Sequence, residues 1–440
     1  MPASKLVGTA ILSHTQLQKE HVMQWFKRSW RNILGIMVGL LAIGLVWLLT
    51  TDNVTIWPIR NTLRYQFDQW RTDSQMPSQP IADRSIVGCI TNAQQQPIVG
   101  AIVAVSERNG RLHRAISDRQ GCYRLGNVPA NQYRLLVTAP SYRDDLIDVD
   151  VQQAQTEQHA QLLPAIAPSY APVEKLVLGP SNVVSRTTPY PTQALRQQVQ
   201  VWSDNGEQQL TLLYRPITAT QPLPLMLAVY PGPANEWESV SIPLAERGYS
   251  VLAVGPAYSL DLETDIADLK RLLALARGGS FVGVDGSHIA IMAGSYSSLH
   301  VLRLLQDDVG FTGVVLLGPI SDLFAMRESF VAGTFMPPFG LDQALIALGY
   351  PDEEIQRYAS YSAQLHPRAD LPPILLMHSR NDEVVPASQS EFLAEQWRGL
   401  GVEVESYFFD GMSHYLRAVE PSPELDELYR ITLDFLARVN

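Results

Sequence analysis

Short, largely apolar segments at 225–229, 250–254, 288–292, 313–317, 373–378 and 403–409 alternate with helical patterns at 261–277, 296–306 and 424–438. Strands of this kind have no polar face to give to water, so both faces must be covered. The alternation therefore predicts a mostly parallel sheet with helices on both sides. A hairpin precedes it, with strands at 199–202 and 210–214 around the turn Ser203-Asp204-Asn205-Gly206. This part is bounded at 198–440.

The segment 288–292 runs directly into Ala293-Gly294-Ser295-Tyr296-Ser297-Ser298, and a helical pattern follows. A strand, a tight turn of small residues around a serine, and a helix make a nucleophile elbow. Ala293 and Ser297 stand where the usual pattern has glycine, and both are small enough for the turn to form. After 373–378 comes Ser379-Arg380-Asn381-Asp382-Glu383-Val384-Val385-Pro386. A carboxylate just past the C-terminal end of a strand stands where it can orient an imidazole. Asp382 is preferred to Glu383 by its place in the string H-x-x-x-D-x-x-V-P, and His378 is read as structural. Phe409-Asp410-Gly411-Met412-Ser413-His414 sets a histidine on the loop after the last strand. Serine, aspartate, histidine is the chain order of α/β-hydrolases. Ser295 is thus the expected nucleophile, Asp382 the acid and His414 the base of an acyl hydrolase. The oxyanion of a tetrahedral intermediate needs donors, and the first expected is the backbone N–H of Tyr296. The second is expected from Val229-Tyr230-Pro231-Gly232-Pro233, where the prolines have no N–H to give. This chemistry calls for no cofactor and no metal.

Residues 199–440 resemble the catalytic domains of prolyl oligopeptidases and dipeptidyl-peptidases. The matching strings are Ser203-Asp204-Asn205-Gly206, Tyr230-x-Gly232-Pro233, Val284-Asp285-Gly286-Ser287-His288 through Ser295-Tyr296, His378-x-x-x-Asp382-x-x-Val385-Pro386, and Gly411-x-x-His414. The resemblance implies that the Tyr230 hydroxyl donates to the oxyanion and that the substrate is a small peptide or ester. The β-propeller of larger members has no room here, and no acidic pair for gripping a peptide amino terminus is identifiable. The rival reading is a non-catalytic envelope or surface binding protein with a decayed hydrolase domain. It draws on Ala293, Ser297 and the appended upstream domain.

That upstream domain, 84–164, shows short alternating strands between turn residues, which predicts a β-sandwich. Val87-Gly88-x-Ile90, Pro97-Ile98-x-Gly100-Ala101-x-Val103, Ser117-Asp118-x-x-Gly121-x-Tyr123-x-Leu125 and Val128-Pro129-Ala130-x-x-Tyr133 resemble the carboxypeptidase regulatory-like domain, a small prealbumin-type sandwich. The resemblance implies a fold and no activity, so a spacer or docking role is expected, with no protein partner specified. Cys89 and Cys122, the two cysteines of the chain, both fall on its strands. They can pair in an oxidising compartment or remain two small apolar residues, and the sequence leaves both open. Residues 165–197, rich in Pro, Ser and Thr, read as a linker.

The run 33–50 carries no charge and is just long enough, at ~1.5 Å per residue, to span a bilayer as a helix. Trp25, Trp30 and Trp57 flank it as interfacial anchors. Lys19, Lys27, Arg28 and Arg31 precede it, so the expected cytoplasmic segment is 1–32 and the bulk of the chain is expected outside. Residues 51–83 read as a juxtamembrane helix and linker. A net charge of -11 argues against nucleic acid as a partner.

Overall fold

The computed structural model describes residues 32–48, 56–75, 84–166, 173, 175–187, 190–203, 206–207, 211–255, 262–307, 309–335, 348–414 and 421–439. The chain divides between Phe67 and Asp68 into two compact units. Residues 32–48 are helical, and their large apolar side chains, such as Ile36 and Leu41, are exposed. Among the described residues no helix is long and apolar enough to cross a membrane. Residues 49 and 50 of the expected span and 1–31 of the expected cytoplasmic segment lie outside the described part. A helix at Trp57–Gln75 falls within the expected juxtamembrane segment.

The upstream domain is a sandwich of β1 (Ser85–Asn92), β2 (Ile102–Ser106), β3 (Leu112–Ile116), β4 (Cys122–Leu125), β5 (Gln132–Thr138), β6 (Asp145–Asp150), β7 (Gln155–Glu157) and β8 (Ala160–Leu162). One sheet runs β4-β1-β7 with β8 also on β1, and the other runs β3-β2-β5-β6. Alternation along the strands fills the space between the sheets: Ile86, Ile90, Val103, Val105, Tyr123, Leu125, Tyr133, Leu135 and Val137 form one core. The Asp118 side chain accepts from the Gln120 and Cys122 N–H groups and so shapes the turn into β4. The antiparallel register of β1 and β4 sets Cys89 opposite Cys122, and the two form a disulfide.

The second sheet contains β9 (Lys175–Arg186), β10 (Thr192–Ser203), β11 (Gly206–Glu207), β12 (Thr211–Arg215), β13 (Leu223–Val229), β14 (Ser250–Val254), β15 (Val284–Gly294), β16 (Gly313–Leu317), β17 (Ile374–Ser379) and β18 (Val404–Phe409). Its order is β11-β10-β12-β14-β13-β15-β16-β17-β18, with β9 also on β10. Strands β14 to β18 run parallel in this order, including β13 between β14 and β15. The strands before them attach antiparallel at one side. Along β13, Met226 and Ala228 share a core with Ile242, Ile431 and Phe435, while Leu225, Leu227 and Val229 on the opposite face are equally buried. Double burial is why these strands read as unbroken apolar runs.

The stretch expected as a linker, 165–197, is a correction. It holds β9 and the first part of β10, paired from Thr192↔Arg186 to Trp202↔Lys175. Strand β9 is mostly half-buried or exposed along its length, so no apolar alternation marks it. The sandwich and the second sheet accordingly belong to one compact unit rather than to two beads on a tether.

Replacing Cys89 and Cys122 together by alanine opens a bridge between residues 33 apart. Denaturant unfolding should then show a loss of about 2–4 kcal/mol; an unshifted midpoint would show that the bridge adds nothing.

Candidate active site

Because β13 and β15 to β18 are parallel, the loops after them gather at one edge of the sheet. Strand β15 ends at Gly294, and Ser295 takes the left-handed conformation at φ 52° before a 3-10 turn and the helix Ser298–Leu304. A non-glycine residue held there is strained, and the strain raises its hydroxyl above the sheet. Ser297, fully buried where glycine is usual, turns its extra atoms to use. Its hydroxyl accepts from the Gly294 N–H at 3.1 Å and lies 2.6 Å from the Val229 carbonyl, to which it donates. The elbow is thereby tied to the end of β13.

Loop closure brings the other two predicted residues to Ser295. His414 Nε2 lies 2.8 Å from Ser295 Oγ, and His414 Nδ1 lies 2.7 Å from Asp382 Oδ2. Asp382 Oδ1 accepts from the N–H groups of Val384 and Val385 at 2.8 and 2.7 Å. Behind it stands His378, wholly buried: its Nε2 donates to the Val385 carbonyl at 2.9 Å and is 3.3 Å from Asp382 Oδ2, while Nδ1 accepts from Ser390 at 2.7 Å. A carbonyl can only accept, which fixes the Nε2–H tautomer. Burial by itself would raise the Asp382 pKa, but hydrogen bonds from His378, His414 and the Val385 amide outweigh it, together with the charge at His414. They hold the carboxyl well below its ordinary range. Glu383, the sequence rival for the acid, instead accepts from the His414 backbone N–H at 3.1 Å.

Of the two oxyanion candidates, Tyr296 directly follows the nucleophile and is buried, its ring edge-on to His300 at 5.3 Å. Tyr230 departs from the expectation. Its hydroxyl is 2.9 Å from Ser241 Oγ, its ring stacks on Trp237 at 5.2 Å, and it is 4% exposed. A phenol in an apolar pocket takes the nearest polar partner, here the serine on the following helix Glu238–Glu246. Burial pushes its pKa well up, with the Ser241 bond offsetting only part, so the group is neutral.

Sequence reading missed Gly318, the residue after β16. At φ +51°, a Cβ there would stand 3.3 Å from Asp382 Oδ2 and 3.6 Å from His414 Nδ1. A glycine at the end of a central strand was the available signal. Phe324 and Phe330, in the segment between β16 and β17, are buried.

Residues 85–163 match the family model of the carboxypeptidase regulatory-like domain, and residues 272–440 that of the prolyl oligopeptidase family. No curated protein sequence matches the chain. Among solved structures, an inhibited esterase B from Lactobacillus rhamnosis is 20% identical, covering 53% of this chain and 82% of its own, with a TM-score of 0.44. Esterase 2 of Thermogutta terrifontis, phosphonylated by sarin, is 16% identical over 54% of this chain and 92% of its own, with a TM-score of 0.43. An acylaminoacyl peptidase of Pyrococcus horikoshii is 15% identical over 77% and 62%, with a TM-score of 0.46.

Ser297→Ala should cost about 1–3 kcal/mol, because it strands the Gly294 N–H and Val229 carbonyl in the interior; thermal or chemical unfolding measures this. Asp382 contributes stability that is present above its unfolded pKa of about 4 and is lost as pH falls towards its lower folded value. Wild-type stability should therefore fall more steeply below about pH 4 than that of Asp382→Asn, and parallel acid titrations of unfolding check it.

Proposed function

We propose that this serine hydrolase works by acyl-enzyme formation at Ser295, on small carboxylic esters and short peptides, from a membrane-anchored position outside the cytoplasm. The observation that carries the reading is the unbroken relay from the Ser295 hydroxyl through both nitrogens of His414 to Asp382. Ser295 Oγ attacks the acyl carbonyl as its proton passes to His414 Nε2, and the same nitrogen then protonates the leaving group. Water, deprotonated by His414, splits the acyl-enzyme and regenerates the serine. Asp382 remains ionised throughout, keeps the Nδ1–H tautomer and balances the imidazolium. The low pKa that its surroundings impose suits that role.

The N–H of Tyr296 is the donor assigned to the developing oxyanion. Tyr230 would have to release Ser241 to serve as the second, and in its present bond it holds the end of β13 in place. Esters and amides share this tetrahedral route, so one triad serves both substrate classes. The Cys89–Cys122 bridge supports an oxidising location, and the exposed apolar side chains of 32–48 support a lipid-facing anchor.

A fluorophosphonate probe should label the chain, and Ser295→Ala should remove the label; persistent labelling of that variant refutes the nucleophile. Asp382→Asn should lower kcat on the order of 10⁴-fold with p-nitrophenyl acetate. External protease should digest the catalytic part in spheroplasts, and protection would overturn the outside placement.

A further inference from the structure

The β-sandwich sits on the insertion between β16 and β17. At the β2–β3 turn, Gly110, φ +99°, approaches the helix Leu323–Val331 so closely that a Cβ would meet Phe324 O at 2.6 Å and Glu328 N at 2.8 Å. Beside it, Arg108 Nε lies 3.2 Å from Asp352 Oδ2, its guanidinium also pairs with Glu353, and it covers the Tyr350 ring at 4.2 Å. Arg114 donates to the Gln364 carbonyl at 3.0 Å and Arg134 to the Glu353 carbonyl at 2.9 Å. Three sandwich arginines thus grip one insertion.

The root of the same insertion is built into the catalytic machinery. Gly318 abuts Asp382 and His414. The Ile320 N–H donates to Ser298 Oγ at 2.9 Å, on the helix that follows the nucleophile. The Ser321 and Asp322 N–H groups donate to Gln389 Oε1 at 2.9 and 2.8 Å, on the helix that follows the acid loop. Asp322 then caps the helix Leu323–Val331, the one that receives Gly110. So the few residues after β16 touch the surroundings of all three triad members, and the next element carries the sandwich.

We propose that the β-sandwich is a positioning element of the active site, with Arg108 and Gly110 as its positioning residues. Docking of the β2–β3 turn fixes the helix Leu323–Val331, and that helix fixes the Gly318–Asp322 strip against His414, Asp382 and the elbow. The physical warrant is a contiguous chain of packed backbone and hydrogen bonds from sandwich to triad. The inference rests on the serine-hydrolase reading of Ser295.

The test uses the full chain, a small fluorophosphonate and p-nitrophenyl acetate. Arg108→Glu, which sets like charge against Asp352 and Glu353, should slow labelling per folded molecule and lower kcat roughly tenfold to a hundredfold with KM little changed. The exchange Arg108→Glu with Asp352→Arg should recover most of the rate. Arg119→Glu, in the distant turn before β4, should leave it at the wild-type value. Should Arg108→Glu not fold, Arg134→Ala gives a smaller drop in the same direction. A lowered unfolding temperature with wild-type labelling rate would overturn the proposal, because the interface then only stabilises. Loss without recovery in the exchange would also overturn it. A wild-type chain that takes no label at Ser295 removes the hydrolase reading itself, which is a separate result.

Discussion

Asp382 is an ionised carboxylate whose side chain is 2% exposed, and such a group is stable only when its lone pairs are met. One oxygen takes two backbone N–H groups of its own loop, and the other faces His414 with His378 behind it. The loop amides give the carboxylate a fixed address, and the carboxylate gives His414 a fixed tautomer and direction. His378 is clamped in turn by Ser390 and the Val385 carbonyl, so the acid cannot rotate without breaking several buried bonds together. The reactivity proposed for Ser295 would rest on this arrangement, since its hydroxyl has only to meet an imidazole already aimed at it.

The parallel sheet makes that meeting possible. Residues from four strand ends, Tyr230, Ser295, Gly318 and the Asp382 loop, are separated by long stretches of chain yet share one edge because β13, β15, β16 and β17 run the same way. The cost of the layout is that loops must pack closely there. At Gly318 a side chain would crowd the Asp382–His414 hydrogen bond.

The strands, the elbow and the order of the triad were legible because each is encoded locally. Doubly buried strands read as continuous apolar runs, and turn chemistry places Ser295, Asp382 and His414 just past strand ends. Strand β9 was not legible, since a strand with half of its positions in water has no pattern to distinguish it from a linker. Nor was the direction of the Tyr230 hydroxyl, which depends on Ser241 eleven residues on and on the stacking of Trp237. The Cys89–Cys122 pairing depends on strand register, and the grip of Arg108, Arg114 and Arg134 depends on residues more than 200 positions away. Long-range partners of this sort leave no local trace.

Ala293 and Ser297, the two departures from the glycine pattern, bear on whether the elbow is a working device. A left-handed serine costs of the order of 1–3 kcal/mol and persists only where its surroundings over-determine it. Relaxation of Ser295 would be the easy course if nothing held the turn. Instead Ser297 spends its hydroxyl on the Gly294 amide and the Val229 carbonyl, and Ser298 uses its own to receive the Ile320 amide. Two hydroxyls buried at the base of the turn thus bind it to β13 on one side and to the strip after β16 on the other. A site in decay would have no need to sustain the strain at Ser295, and these contacts sustain it.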